Sequence, residues 1–145
     1  MGLSRTKVRG QFAKRDLRGH RFIDVFCAGH IVITVGYPSS KLLASVAPAQ
    51  RRGLGGRAVL ILTSSRHFAL RGVRPGTRLA TVAPRLHVGQ PFAVGHNRWY
   101  LLADGSARGV AKVRHGIVEE VGIANRSLTN RRARARRFLG GFSTA

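Results

Sequence analysis

The sequence predicts an α+β fold, an antiparallel sheet packed against short helices. Three observations point there. The apolar runs are short and rich in β-branched residues, as in Arg57 to Thr63 and Ile117 to Ala124, and turn residues interrupt them. Helical spacing occurs only in brief stretches, such as Val8 and Phe12, four residues apart. The longest uncharged apolar stretch is Ala58 to Leu62, far below a bilayer-spanning length, so a soluble domain is expected.

Gly2 to Phe12 reads as a short helix with Lys14 to Arg21 as its polar exit. Arg21 to Cys27 and His30 to Tyr37 follow as a hairpin about Ala28-Gly29, with Ile31, Ile33, Val35 and Tyr37 on one face. Pro38-Ser39-Ser40 caps a helix over Lys41 to Ala47, Pro48 discourages its continuation, and Gln50 to Gly56 reads as a basic glycine-rich loop. Arg57 to Thr63, with Val59-Leu60-Ile61-Leu62 unbroken, is a strand covered on both faces and therefore central.

Gly72-Val73-Arg74-Pro75-Gly76 breaks the chain, and a second helix is expected over Thr77 to Leu86, limited by Pro84. Phe92 to Val94, Arg98 to Leu102, Gly109 to Arg114 and Ile117 to Ala124 then form a meander punctuated by His96-Asn97, Asp104-Gly105 and His115-Gly116. With Thr129 as N-cap, Asn130 to Leu139 is a helix ended by Gly140-Gly141, its apolar side Ala135, Phe138, Leu139 and Phe142. The predicted core includes Ile33, Val35, Val59, Ile61, Val121 and Ile123.

Gly2-Leu3-Ser4-Arg5-Thr6-Lys7-Val8 aligns with Gly76-Thr77-Arg78-Leu79-Ala80-Thr81-Val82, and each copy leads into a β-rich segment. The expected organisation is two tandem helix-then-sheet modules, 1–71 and 72–145, sharing a core.

Composition bounds the function. The chain has 26 basic and 5 acidic residues in 145, a net charge of +21, with 22 Arg against 4 Lys. A GC-rich coding sequence accounts for Arg over Lys but not for the shortage of acids, because GC-rich codons also encode Asp and Glu. A polyanionic partner that screens the self-repulsion is the natural reading. The 26 basic residues divide evenly, 13 in each module, so the charge is spread and is no tail.

The strongest candidate surface is the C-terminal helix region with Arg126, Arg131, Arg132, Arg134, Arg136 and Arg137. Guanidinium groups bind phosphate bidentately, and a helix sets several in one stripe. Arg51, Arg52 and Arg57 around Gly53-Leu54-Gly55-Gly56 offer a second anion-binding loop. That loop precedes a strand, the wrong order for a dinucleotide fingerprint. Trp99-Tyr100 is a candidate aromatic contact beside His96 and Arg98, although alternation in a strand turns one of the two rings inward.

Catalytic and metal chemistry find little footing. Glu119 and Glu120 are adjacent in a predicted strand and point to opposite faces, so they form no acid/base pair; neutralising neighbouring Arg is their expected role. Asp16, Asp24 and Asp104 fall in or beside predicted turns. The histidines His20, His30, His67, His87, His96 and His115 never recur at the two- or four-residue spacing of a local metal pair. Ser64-Ser65 with His67, or Cys27 with His30 and Asp24, lack a nucleophile elbow. Cys27, the single cysteine, reads as a buried thiol. The expectation is a non-enzymatic module with no metal or cofactor.

The pattern Gly2-Leu3-Ser4-Arg5-x-x-Val8 before a hairpin resembles the helix-then-sheet module of outer-membrane-assembly lipoproteins of the SmpA/OmlA type and of the β-lactamase inhibitory proteins, where such modules occur in tandem. The segments Ala69 to Gly76, Asn97-Arg98-Trp99-Tyr100 and Val113 to Ala124 resemble uncharacterised Arg-rich, exported proteins of high-GC actinobacteria. The resemblance implies a fold and an exported location, and carries no catalytic or contact residue. The opening Met1-Gly2-Leu3-Ser4 lacks the apolar core of a signal peptide and runs straight into the helix pattern, so a reading frame beginning further upstream is expected.

The partner classes that follow are an anionic cell-surface polymer or acidic protein first, intracellular nucleic acid as the alternative, and a small hydrolase third. Zinc-finger, RRM and basic-zipper signatures are absent from the sequence. Oligomeric state is left open.

Overall fold

The structure, a computed structural model, describes residues 2–85, 90–102 and 107–142. Among these residues eight strands form one antiparallel sheet: β1 Leu17–His20, β2 Ile23–Ala28, β3 Ile31–Gly36, β4 Leu60–Thr63, β5 Phe92–Val94, β6 Asn97–Leu102, β7 Arg108–Arg114 and β8 Ile117–Ala124. The spatial order is β1-β2-β3-β4-β8-β7-β6-β5, so each half supplies four neighbouring strands and the halves join where β4 pairs β8. The helices are short: α1 Arg5–Arg9, α2 Ser40–Ala44, α3 Pro48–Leu54, α4 Leu79–Val82, α5 Arg126–Thr129 and α6 Arg132–Gly140. None is long and apolar enough to cross a membrane.

The predicted α+β class, the antiparallel sheet and the strands of the meander are all present. Several local expectations are corrected. Helix α1 spans only Arg5–Arg9, because Ser4 is the N-cap, itself extended and accepting from the Lys7 N–H at 3.3 Å. Part of the supposed polar exit is strand β1, paired with β2 from Leu17↔Phe26 to His20↔Ile23. Pro48 starts a helix where a stop was expected: its fixed φ suits the first turn, and α3 continues through Gly53 to Leu54. The basic loop is therefore largely helical.

Helix α4 is a single turn followed by a 3-10 turn over Ala83–Arg85; Leu86, His87, Asp104 and Gly105 lie outside the described residues. Asn125, whose Oδ1 accepts from the Ser127 N–H at 3.0 Å, caps an extra helix, α5. Thr129 is no N-cap. It ends α5 with its hydroxyl donating to the Asn125 carbonyl, and α6 starts after Arg131.

Both sheet faces carry helices. On one, α2, α3, α5 and α6 pack Leu42, Leu54, Leu128, Ala135, Phe138 and Leu139 against Leu60, Leu62, Val110 and Trp99. On the other, α1 sets Val8 against Phe26, Val35 and Tyr37, while α4 sets Leu79 against Ala111, Val113 and Val118. The space between α1 and α4 holds an apolar cleft of about 250 Å³ where Ile33, Ile61 and Ile123 face Phe68 and Leu70.

The predicted core is corrected accordingly: Val35, Val59 and Val121 are buried, whereas Ile33, Ile61 and Ile123 are only half-buried. Strand β4 is central, but its buried side chains are Leu60 and Leu62. We expect Leu62→Ala to cost about 3 kcal/mol, inside the range for buried Leu truncation, and Ile61→Ala clearly less. Urea unfolding of the two variants checks the order, and an equal or larger loss for Ile61→Ala contradicts it.

The two glycine-led segments make the same backbone hydrogen bonds. Gly2 N–H donates to the Ala58 carbonyl at 3.1 Å, Ala58 N–H to Leu3 at 2.8 Å and Arg5 N–H to Gly56 at 3.2 Å. In the other half Gly76 N–H donates to Val118 at 2.7 Å, Val118 N–H to Thr77 at 2.9 Å and Leu79 N–H to Gly116 at 2.9 Å. Gly2 and Gly76 adopt φ of 89° and 86°, in the left-handed region that favours glycine.

Candidate anion-binding surfaces

Helix α6 turns Ala135, Phe138 and Leu139 into the core, and the edge-to-face contact of Phe138 with Phe142, 5.3 Å between ring centres, closes its C-terminal end. Its remaining faces are basic. Along one side lies β5, the last strand of the sheet, and between them runs an open groove of about 780 Å³. Ala93, Val94 and Gly95 form one wall and Arg132, Arg136 and Arg137 the other, with no acidic side chain in the lining among the described residues.

The predicted arginines divide by what their guanidiniums touch. Arg132 donates to the Gln90 and Pro91 carbonyls at 2.9 and 3.0 Å and stacks 4.8 Å over the Phe92 ring, tying α6 to the entry of β5. Arg134 donates to the Ser127 carbonyl at 3.0 Å and to Asn130 Oδ1 at 3.5 Å, tying α6 to α5. Arg131, Arg136 and Arg137 are exposed. Arg126 sits on α5 rather than on α6, so the predicted stripe is broken there.

Arg51, Arg52 and Arg57 do not surround a loop. Arg51 donates to the Val46 and Ala44 carbonyls and Arg57 to the Gly2 carbonyl at 2.8 Å; all three arginines are exposed, and Arg52 is the one that binds no carbonyl among the described residues. Trp99 is fully buried against the α6 side of the sheet and is removed as a contact residue. Tyr100 is half-buried on the opposite face, as strand alternation requires.

The remaining chemical candidates are engaged elsewhere. Glu120 is buried and accepts from Lys112 Nζ at 3.0 Å and from the Thr34 hydroxyl at 3.4 Å, so a lysine rather than an arginine neutralises it. The Ser64 hydroxyl accepts from the Val32 N–H and that of Ser65 from the His67 N–H. Asp16 lies 3.8 Å from Arg15. Cys27 is a free, half-buried thiol. Among the described residues no group of three or more His, Cys, Asp or Glu comes together.

Asp24 is no turn residue. It is fully buried in β2, with Arg5 and Arg9 each 2.7 Å from Oδ1. Gly19 leaves room for this pair, since a Cβ there would lie 3.0 Å from an Arg9 nitrogen and 3.3 Å from Oδ1. Burial pushes the Asp24 carboxyl up, but the hydrogen bonds and charges of Arg9 and Arg5 outweigh it and hold the group down at about 2. A depressed pKa stabilises the fold above the ordinary carboxylate value and is lost as pH falls from about 4 to about 2.

Asp24→Asn is expected to cost about 2 kcal/mol at neutral pH, less than breaking a wholly buried pair because both arginines keep contact with solvent. It should also remove that acid-dependent loss. Urea unfolding across this pH window tests both; a variant whose stability still falls between pH ~4 and ~2 as steeply as the wild type contradicts it.

The histidine pair His96 and His115 went unnoticed in the sequence, where they stand 19 residues apart. Both line a polar recess of about 340 Å³ together with Arg98 and Tyr100, on the face opposite α6. The β6–β7 hairpin pairing is the signal that finds them. Compared with known protein families, curated proteins and solved structures, the chain matches none.

Proposed function

We propose that this protein is a non-catalytic, strongly basic module that holds an extended anionic partner, a cell-surface polymer or an acidic protein segment, along the groove between α6 and β5. The observation that carries the reading is the groove itself. Arg132, Arg136 and Arg137 line one wall of about 780 Å³ of open space, no carboxylate faces them among the described residues, and the other wall is a terminal strand. Arg132, pinned by two carbonyls, is pre-ordered, so less side-chain entropy is lost when an anion arrives.

The two halves, 1–71 and 72–145, are read as tandem helix-then-sheet modules. The matching glycine-led hydrogen bonds and the four-plus-four strand order support this. In that arrangement the groove belongs to the second module, whose last strand continues into α5 and α6. Export, implied by the resemblance described above, would place the partner outside the cell, and the DNA upstream of the Met1 codon tests it.

A net charge of +21 gives any such protein some affinity for polyanions, so the test must separate place from total charge. For the groove variant, Arg136 and Arg137 of the wall and the exposed Arg131 just before α6 are changed together to Gln, and Lys7, Arg18 and Arg114, exposed elsewhere, are changed to Gln as a charge-matched control. Binding of heparin, polyglutamate and duplex DNA at low salt is compared. The groove variant should lose affinity and the control should keep most of it. Equal losses would mean that total charge alone is at work. Preference for duplex DNA over both other probes would favour the intracellular alternative.

A further inference from the structure

We propose that the recess at the β6–β7 end of the sheet is a second, separate site that binds a tetrahedral oxyanion, a phosphate or sulfate group, more tightly when its two imidazoles are protonated.

The placement follows from strand register. β6 pairs β7 with Arg98 opposite Val113 and Tyr100 opposite Ala111, and these side chains share the sheet face that packs on α4. Continued by two residues, the same register sets His96 across from His115, on the face that carries Arg98. His96, Arg98 and Tyr100 therefore follow one another at every second residue, with His115 opposite the first. All four line the recess, whose floor is the buried Leu79 and Val113.

Charge selects the ligand. The groups facing the space are the guanidinium of Arg98 and the phenol of Tyr100 from β6, the His96 imidazole from the β5–β6 turn and the His115 imidazole from the β7–β8 turn. The residue contributed by α4, Leu79, is apolar, and among the described residues no carboxylate is in the lining. Two imidazoles across a hairpin would also suit a divalent cation, but Arg98 beside them repels one and attracts an anion. An apolar floor reduces solvent screening of that attraction. Each imidazole, when protonated, adds a positive charge and a second N–H donor around the same space.

Backbone conformation supports the assignment. His115 has φ of 49° and Gly116 77°, the two left-handed residues of a tight hairpin turn. Asn or Gly is the usual occupant of the first of these positions. Histidine also tolerates that conformation, so the turn holds an imidazole opposite His96 at little backbone cost.

The probe is inorganic sulfate, which keeps its charge over the range used, so any pH dependence belongs to the protein. Imidazole NMR signals are followed during sulfate titration at about pH 5.5 and about pH 8. Affinity should be about tenfold or more higher at the lower pH. Of the six histidines, His96 and His115 should carry the shifts. His96→Gln with His115→Asn should abolish the pH dependence while keeping the turn, since Asn suits the left-handed region. Arg98→Gln should weaken binding at both pH values.

Replacing sulfate by a nucleoside monophosphate or a sulfated monosaccharide identifies the source: tighter binding of either one supports the site and names its ester. An affinity that does not change with pH, a double-histidine variant that keeps the change, or shifts centred on His20, His30 or His67 would overturn the proposal. So would Ni²⁺ or Zn²⁺ binding at the pair with no response to sulfate. The groove variant at Arg131, Arg136 and Arg137 leaves this recess untouched, so the two anion sites stand or fall separately.

Discussion

Gly122→Ala is expected to abolish the native fold, although it adds a single methyl group. Gly122 stands opposite Leu62 in the β4–β8 pairing, the seam where the two four-stranded halves meet. A Cβ at Gly122 would run into the Ile61 carbonyl and lie 2.8 Å from the Leu62 Cα. Both obstacles are backbone, so no rotamer change relieves them and the strands must separate. The expected cost is about 4–5 kcal/mol or more, comparable with the whole stability of a small domain. Gly36→Ala gives the contrast: its Cβ would meet the Phe142 ring, 2.8 Å from Cζ, and a side chain near the end of α6 can give way. Amide NMR dispersion and urea unfolding of the two variants check this, and a Gly122→Ala protein with a wild-type unfolding midpoint would contradict it.

That seam marks the limit of what periodicity reveals. Alternation located β2, β3 and β5 to β8, because it reports which residues face the same side. It carries no measure of how near two backbones come, so Gly122 looked like any strand glycine. The same limit explains the half-buried Ile33, Ile61 and Ile123. Their pattern marks one face of the central strands, but whether that face is covered depends on where α1 and α4 sit, and the two leave a cleft between them. Pro48 was misplaced for a local reason. Proline both ends a preceding helix and favours the first turn of the next, and the short sequence Val46-Ala47-Pro48 does not distinguish the two.

The candidate surfaces were legible as charge and illegible as chemistry. Counting arginines identified the basic C-terminal region, yet Arg51, Arg57, Arg132 and Arg134 all use guanidinium hydrogens on main-chain carbonyls, joining segments that sequence alone does not bring together. Arg5 and Arg9 do likewise with Asp24. Part of the excess of arginine is therefore architectural, and with so few acids the main chain supplies acceptors. His96 and His115 were hidden by separation along the chain. A search limited to two- and four-residue spacings tests single elements and misses pairs across a hairpin, where the relevant quantity is the register.

Affinity for duplex DNA or another linear polyanion should fall about 10³-fold between 50 and 200 mM salt if six charges of the α6–β5 surface and its surroundings are engaged. Each neutralised phosphate releases condensed counterions, so the logarithm of affinity falls against the logarithm of salt with a slope of about −0.9 per contact on duplex DNA. Changing Arg131, Arg136 and Arg137 to Gln should therefore flatten the slope by about 3 units while leaving the fold intact, because the backbone-bound Arg132 and Arg134 are kept. Including those two would confound the measurement, since loss of their carbonyl contacts would detach α6 from β5 and α5. The control at Lys7, Arg18 and Arg114 removes the same charge and should shift the slope by less than about 1 unit. If both variants flatten it equally, the polymer ranges over the whole basic surface and the groove has no special part; if only the groove variant does so, the contacts lie along α6.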